Sequence, residues 1–259
     1  MATTPSSAVL ARLIDNLRHE TPQLLVAPRR AAVACLLRLT VSNTLEALFI
    51  QRAAVPSDPW SGDVAWPGGR AAVGETELQA AIREVHEEIG VDLTQNCWQL
   101  LGPLPDAIAV RKRGRSHLIV RGFVWLQLSE TTPKLVLRPS EVAAAWWIPF
   151  TFLSQPPSPL PRFSVPVARL GTRIPALRSP RVRAIFRLFG LDAALFPYVP
   201  IPSHKEGERL RLWGVTLGLS AELVKAADGD ASRLIIPPWR LQNLGWHLML
   251  HCFGGNSRL

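Results

Sequence analysis

Three glutamates in one short segment have a spacing that suits metal-ion chemistry. Glu84, Glu87 and Glu88 stand at positions i, i+3 and i+4, so a helix would place their carboxylates on one face. Like charges at this spacing repel each other and add nothing to helix stability. A divalent cation would relieve the repulsion, and Mg²⁺ and Mn²⁺ prefer carboxylate oxygens. The segment predicts a metal site, although a solvated acidic face on an amphipathic helix would show the same acids.

The residues around these acids could fix their position. We expect Arg83 to pair with Glu75, two turns earlier, and so to hold the neighbouring carboxylates in place. The Gly68-Gly69 pair just upstream leaves the backbone free to approach a cation with a carbonyl oxygen. The segment thus supplies both ligand atoms and residues that orient them.

A helix over residues 76–89 must carry the acids. Thr76 and Gln79 have capping-box spacing, and Gly90 stands where a helix stop belongs. We expect the back of this helix to be anchored by one apolar stripe, with the acids at the front. The stripe consists of Leu78, Ile82, Val85 and Ile89.

Apolar runs elsewhere in the chain predict the sheet that this helix packs against. The predicted strands cover residues 31–40, 45–51, 98–104, 118–128 and 144–148. Residues 8–18 have helical apolar spacing and predict a docking helix, while 211–223 predict a strand end followed by a helix. This alternation of strands and helices indicates an α/β domain with a mixed sheet.

The full string from Gly69 to Val91 resembles the Nudix box of the Nudix hydrolases. Its fixed positions hold Gly69, Glu75, Arg83, Glu84, Glu87, Glu88 and Gly90, with aliphatic residues at 85 and 91. The resemblance implies a Nudix fold, an α/β/α sandwich with a mixed β-sheet, and hydrolysis of a nucleoside diphosphate linked to another moiety.

The same resemblance implies roles for individual residues. Mg²⁺ or Mn²⁺ would be bound by the carboxylates of Glu84, Glu87 and Glu88 and by the Gly69 carbonyl, with Arg83 and Glu75 as the orienting pair. Bound metal would neutralise the diphosphate and lower the pKa of a water molecule. Glu87 is the first candidate for the general base and Glu141 the second, although Glu141 could equally pair with an arginine.

The loop before the box resembles the signature of the coenzyme A diphosphatase branch. Arg52-Ala53, Gly62 and Pro67-Gly68-Gly69 fit that signature, and Trp213-Gly214-Val215-Thr216 resembles its WGxT segment. The spaced arginine of the signature is missing, one extra residue precedes Gly62, and Trp66 replaces phenylalanine. The resemblance implies cleavage of CoA or acyl-CoA to 3′,5′-ADP and (acyl-)4′-phosphopantetheine. The alternatives are ADP-ribose, NADH or capped RNA as substrate, or a noncatalytic Nudix domain that binds RNA.

The charge of the chain suits an anionic partner, which could be a phosphorylated metabolite, a nucleic acid or acidic lipid headgroups. The formal net charge is +9, and arginine is the usual bidentate partner of phosphate. We expect substrate contacts from Arg52 and from a basic loop that contains Arg111, Arg113 and Arg115. A solvated basic turn would explain the same loop.

The chain divides into three predicted parts. Residues 1–28 form an N-terminal helical extension, 29–225 the Nudix domain with an Arg/Pro-rich insertion at about 150–200, and 226–259 a C-terminal tail. Short helices are expected around 181–189 and 241–250. Three cysteines without a CxxC pair favour a reducing compartment over a disulfide framework or a structural zinc site.

Sequence features also predict where the protein resides. No apolar run approaches the roughly 20 residues of a membrane span, and no secretory signal is evident. The final Ser257-Arg258-Leu259 is a conservative variant of the peroxisomal address and predicts a peroxisomal import receptor as a partner. The cytoplasm and the mitochondrion are the alternatives.

Overall fold

The structure is a computed structural model of the 259-residue chain. It describes residues 6–19, 22, 25, 27–55, 61–109, 118–166, 184, 193–229, 231, 232 and 234. The helices bounded within these residues are α1 (Ser6–His19), α2 (Glu77–Ile89), α3 (Thr151–Ser154) and α4 (Gly214–Ala226). The strands are β1 (Arg29–Leu39), β2 (Leu45–Arg52), β3 (Val64–Ala65), β4 (Gly68–Arg70), β5 (Trp98–Pro103), β6 (Ala107–Ala109), β7 (Leu118–Gln127), β8 (Val142–Pro149), β9 (Arg162–Pro166), β10 (Ala193–Pro197), β11 (Val199–Pro202) and β12 (Arg209–Leu212).

The first eight strands form one mixed sheet. Its order is β3-β2-β1-β7-β5, with β4 paired to β1, β6 to β7 and β8 to β2. The central strands β1 and β7 run parallel, with Ala34 opposite Phe123, and the other described pairs of this sheet are antiparallel. Both central strands are rich in apolar residues, as expected for strands that are covered on both faces.

Helices cover the two faces of this sheet. On one face, Leu13 of α1 and Leu217 of α4 pack into a core with Leu37 of β1. On the other face, Val85 of α2 packs into a second core with Leu36 of β1. The predicted α/β/α sandwich with a mixed sheet is therefore confirmed.

The N-terminal helix is fixed to the domain by its apolar and its polar side chains. Leu10, Leu13 and Leu17 are buried, which confirms the predicted docking helix. Arg12 Nε donates to the carbonyl of residue 227 at 3.2 Å, and Asn16 Nδ2 to that of residue 226 at 2.9 Å. These bonds satisfy carbonyls that the end of α4 leaves without an intrahelical partner.

Helix α2 begins and ends where the sequence predicts. The Thr76 side chain accepts from the Gln79 N–H, the Gln79 side chain accepts from the Thr76 N–H, and Gly90 adopts the left-handed conformation with φ 71°. The helix therefore has a complete capping box and a glycine stop, both of which depend on local residue types alone.

The buried face of α2 differs from the predicted stripe. Val85 and Ile89 are buried as expected, but Leu78 and Ile82 are only partly buried. Ala80 and Ala81 are fully buried instead, in the same core as small residues of β1. Small side chains on both elements allow a close approach, so the helix presents its alanines to the sheet. Glu88 is 2% exposed, so the fold buries this one of the three acids expected at the front of the helix.

The predicted insertion contains further strands in its described part. Residues 149–201 include α3 and the strands β9, β10 and β11, and two small antiparallel sheets join β9 to β10 and β11 to β12. The predicted helix at 181–189 lies outside the described residues apart from Ala184, and the predicted helix at 241–250 lies wholly outside them. The three-part division of the chain stays a prediction.

Candidate metal and active site

Three carboxylates meet beside the C-terminal half of α2. One oxygen each from Glu84, Glu88 and Glu141 lies within 4.8 Å of the other two. We call these three residues the carboxylate cluster. Uncompensated like charges at this separation repel each other, whereas a hard divalent cation takes oxygen ligands at about 2.0–2.6 Å. The donor set therefore fits Mg²⁺ or Mn²⁺.

Two elements bring the carboxylate cluster together. Glu84 and Glu88 are one helical turn apart on α2, so their proximity is local. Glu141 arrives on the segment that follows β7. That segment runs along the end of α2, where the Val136 N–H donates to the Ile89 carbonyl at 2.9 Å and the Arg138 N–H to the Glu88 carbonyl at 3.0 Å.

The backbone at the end of β2 fixes Glu141 from the other side. The Ala53 N–H donates to the Glu141 carbonyl at 2.8 Å, and β8 begins at the next residue. The Glu141 side chain also lies 3.3 Å from Arg138 Nη1. The structure therefore contains the arginine pair considered for Glu141, while its role as general base stays a prediction.

Burial strongly perturbs the two helix acids of the cluster. Desolvation raises the pKa of Glu88 to about 8, although the Gly68 N–H, which donates to its Oε2 at 2.8 Å, favours the charged form. Desolvation also raises the pKa of Glu84, and Arg83 opposes that shift. Buried acids that resist ionisation are typical of sites that bind a cation or move a proton.

Arg83 and Glu75 form the predicted pair. Arg83 Nε lies 2.8 Å from Glu75 Oε1 and Nη2 lies 3.1 Å from Oε2, a two-pronged contact. Arg83 Nη1 also reaches Glu84 Oε1 at 3.0 Å. The hydrogen bonds from Arg83 hold the pKa of Glu75 below its usual value. The carboxylates of Glu75 and Glu84 in turn hold the pKa of the Arg83 guanidinium above its usual value. Arg83 therefore ties the loop before α2 to a member of the carboxylate cluster.

Glu87 occupies a different position from the other helix acids. Its side chain is 40% exposed, and its Oε2 lies 3.3 Å from Arg83 Nη1. Within the described residues it is not part of the carboxylate cluster, whose third member is Glu141. The roles predicted for Glu87 as ligand and base stay predictions.

The Gly68-Gly69 pair lets the backbone pass close to the cluster. A Cβ atom on Gly69 would lie 2.3 Å from Glu84 Oε1, so a larger residue there would displace that carboxylate. A Cβ on Gly68, whose φ is 150°, would lie 2.2 Å from the Ala32 carbonyl oxygen. Gly68 is required by the backbone of β1, whereas glycine at position 69 leaves the Glu84 carboxylate in place.

The predicted phosphate-binding arginines are only partly described. Arg52 lies at the end of β2, near enough to Glu88 that its positive charge favours the ionised form of that carboxyl and lowers its pKa. Arg111, Arg113 and Arg115 lie outside the described residues. Their predicted role in substrate binding stays a prediction.

Comparison with known protein families identifies the family to which this chain belongs. A family model described as the NUDIX domain matches residues 28–168, more than half of the 259 residues. The chain belongs to the Nudix family. The matched range contains the carboxylate cluster, the Arg83–Glu75 pair and every strand of the mixed sheet.

Individual relatives of this Nudix chain are distant. An uncharacterized protein of Schizosaccharomyces pombe is 31% identical over 146 residues, 50% of this chain and 44% of that protein. The m7GpppN-mRNA hydrolase NUDT17 of Xenopus laevis is 30% identical over 90 residues, 32% of this chain and 30% of that protein. The crystal structure of a Nudix hydrolase from M. smegmatis, RenU, is 20% identical, with a TM-score of 0.38 over 61% of this chain and 85% of that chain. The chain thus spans less than half the length of these two curated relatives.

Helix α2 is held at its N-terminal end by ion pairs that were not predicted from the sequence. Asp106, whose side chain is fully buried, accepts from Arg121 Nε at 2.7 Å and from Arg121 Nη2 at 2.8 Å. Arg121 Nη1 and Arg30 Nη1 both approach Glu77 Oε1, at 3.3 and 2.7 Å. An arginine inside the apolar strand β7 was the available signal, because a charge at such a position requires a partner.

Proposed function

We propose that this chain hydrolyses phosphoric anhydrides in a nucleoside diphosphate linked to another group, with a divalent cation bound at the carboxylate cluster. The observation that carries the proposal is the meeting of three acids within 4.8 Å, one of them 2% exposed. Such a cluster is costly for a chain without a cation, and the Nudix family supplies the chemistry that uses one.

In this proposal the residues at and around the carboxylate cluster have different roles. Glu84, Glu88 and Glu141 would hold Mg²⁺ or Mn²⁺, and we propose the Gly69 carbonyl as a further donor. A cation bound there would supply charge neutralisation of the diphosphate and a lower pKa for a bound water. Arg83, fixed by Glu75, keeps the Glu84 carboxylate oriented. Glu87 is exposed and outside the cluster, with its Oε2 3.3 Å from Arg83 Nη1, and it is our first candidate for the proton acceptor.

CoA or acyl-CoA is our first candidate substrate, with 3′,5′-ADP and (acyl-)4′-phosphopantetheine as products. The support is the loop that contains Arg52, Gly62 and the Gly68-Gly69 pair, which resembles the coenzyme A diphosphatase signature. Arg52 lies near Glu88, where a phosphate beside the cation would meet its positive charge. Peroxisomal import through Ser257-Arg258-Leu259 remains a prediction from the sequence, because those residues lie outside the described part.

Capped RNA is the second candidate substrate. A Xenopus laevis relative is named an m7GpppN-mRNA hydrolase, and the net charge of +9 suits a nucleic acid. A noncatalytic RNA-binding domain is less well supported, since it has no use for three acids gathered within 4.8 Å.

A substrate panel tests the proposal. The purified chain is assayed with CoA, ADP-ribose, NADH and a cap analogue, each with Mg²⁺ and with Mn²⁺, and CoA is expected to have the highest kcat/KM. Glu84→Gln should lower turnover roughly hundredfold or more, because it removes a ligand while conserving shape. The matched control is Glu206→Gln, an exposed acid on the β11–β12 loop. Absence of turnover with every compound, or full activity in Glu84→Gln, would refute the proposal.

A further inference from the structure

Four aromatic rings gather outside the main sheet. Phe163, Phe196, Tyr198 and Trp213, which we call the aromatic cluster, come from the two small sheets and the start of α4. The Phe163 ring stands edge-on to Trp213 with centroids 4.9 Å apart, and edge-on to Tyr198 at 5.7 Å. Phe196 and Trp213 are buried, whereas Phe163 and Tyr198 remain partly exposed. The neighbouring rings thus fix the orientation of an accessible Phe163.

An arginine covers the face of Phe163. The guanidinium carbon of Arg211 lies 4.5 Å from the centre of the Phe163 ring, the geometry of a cation–π contact. Arg211 is exposed, and no acid in the described part of the chain pairs with it. Phe163 therefore contacts one face of the planar guanidinium of this exposed arginine, and a planar guanidinium can stack on a flat group through its other face.

Hydrogen bonds connect the aromatic cluster to the proposed active site. Trp213 Nε1 donates to Asp63 Oδ1 at 3.1 Å, and the Asp63 carbonyl accepts from the Arg52 N–H at 3.0 Å. The next N–H, that of Ala53, donates to the carbonyl of Glu141 in the carboxylate cluster. The aromatic cluster and the carboxylate cluster thus attach to the same end of β2.

We propose that the Arg211–Phe163 pair is the site that stacks against the nucleobase of the substrate. This inference rests on the proposed function, which places the diphosphate at the carboxylate cluster. Nucleobases stack on guanidinium planes and aromatic rings, and such contacts tolerate different bases because every base has a flat face. The site selects nucleotide-containing diphosphates over diphosphates without a base.

A matched pair of substrates tests the site. The compound with the highest kcat/KM in the panel is compared with its counterpart in which hydrogen replaces the base on the ribose. Arg211→Ala should lower kcat/KM about tenfold for the complete substrate, mainly through KM, in keeping with loss of one stacking contact. The base-free counterpart should change less than twofold. Arg211→Lys should behave like Arg211→Ala, because lysine keeps the charge but has no plane to stack.

Arg209 provides the control for charge. It is an exposed arginine two residues away on β12, so Arg209→Ala removes the same charge without touching the ring pair, and both substrates should change less than twofold. Equal losses on both substrates in Arg211→Ala, an unchanged Arg211→Ala, full activity in Arg211→Lys, or an Arg209→Ala effect equal to that of Arg211→Ala would each overturn the inference. A wild-type chain that turns over no diphosphate would instead refute the proposed function.

Discussion

Replacing the buried Glu88 with glutamine separates the cost of burying its charge from its use as a ligand. In the metal-free protein the pKa of this carboxyl is about 8, above the usual 4.5. A raised carboxyl pKa means that the folded state binds the proton more tightly than the unfolded state. The stability that the protonated Glu88 carboxyl contributes to the fold is therefore complete below pH 4.5, declines as the pH rises, and is lost above pH 8.

The difference between those two pKa values sets the size of the effect. At about 1.4 kcal/mol for each pH unit, ionising Glu88 in the metal-free fold costs on the order of 5 kcal/mol. A chain of this length changes its Tm by about 2–4 °C for each kcal/mol, so the wild-type Tm should fall roughly 10 °C between pH 5 and pH 9 through this group. Glutamine keeps an oxygen for the Gly68 N–H and carries no charge, so it should remove most of that decline.

Thermal unfolding in the presence of EDTA and then of Mg²⁺ measures both effects. At pH 8, Mg²⁺ should raise the wild-type Tm and leave that of Glu88→Gln nearly unchanged, because the variant lacks one charged ligand. Glu87→Gln is the control, since Glu87 is 40% exposed and outside the carboxylate cluster, and it should follow the wild-type pH profile. Parallel pH profiles for Glu88→Gln and the wild type would show that the charge of Glu88 is not buried as described.

Two further changes test the elements that position the site. Gly69→Ala should lower turnover at least tenfold with little loss of Tm, because the new methyl group would lie 2.3 Å from Glu84 Oε1 and displace that ligand. Steady-state kinetics and a thermal melting curve measure the two effects. A wild-type kcat/KM in this variant would contradict the predicted displacement. Asp106→Ala should cost about 3–5 kcal/mol in urea unfolding, because it leaves Arg121 buried beside a single remaining acid, and a cost below about 1 kcal/mol would exclude that role.

The agreement between sequence and structure is best where the pattern is local. The capping box of α2, its glycine stop and the contact between Arg83 and Glu75 depend on residues within two turns, and all are present. The disagreements arise where packing decides. Leu78 and Ile82 fit an apolar stripe by spacing, yet alanines face the sheet because β1 offers a surface of small residues.

Local patterns were enough to predict the helix and the acids on it, because helical periodicity and capping act over a few residues, and the motif that these acids form predicted the family. Tertiary structure decided which acids share a site. Glu141 joins Glu84 and Glu88 because a segment more than 50 residues away runs along the end of α2 and β2, and Glu88 is buried because α2 packs on its alanines. These placements depend on contacts between distant parts of the chain, which no local pattern of residue types encodes.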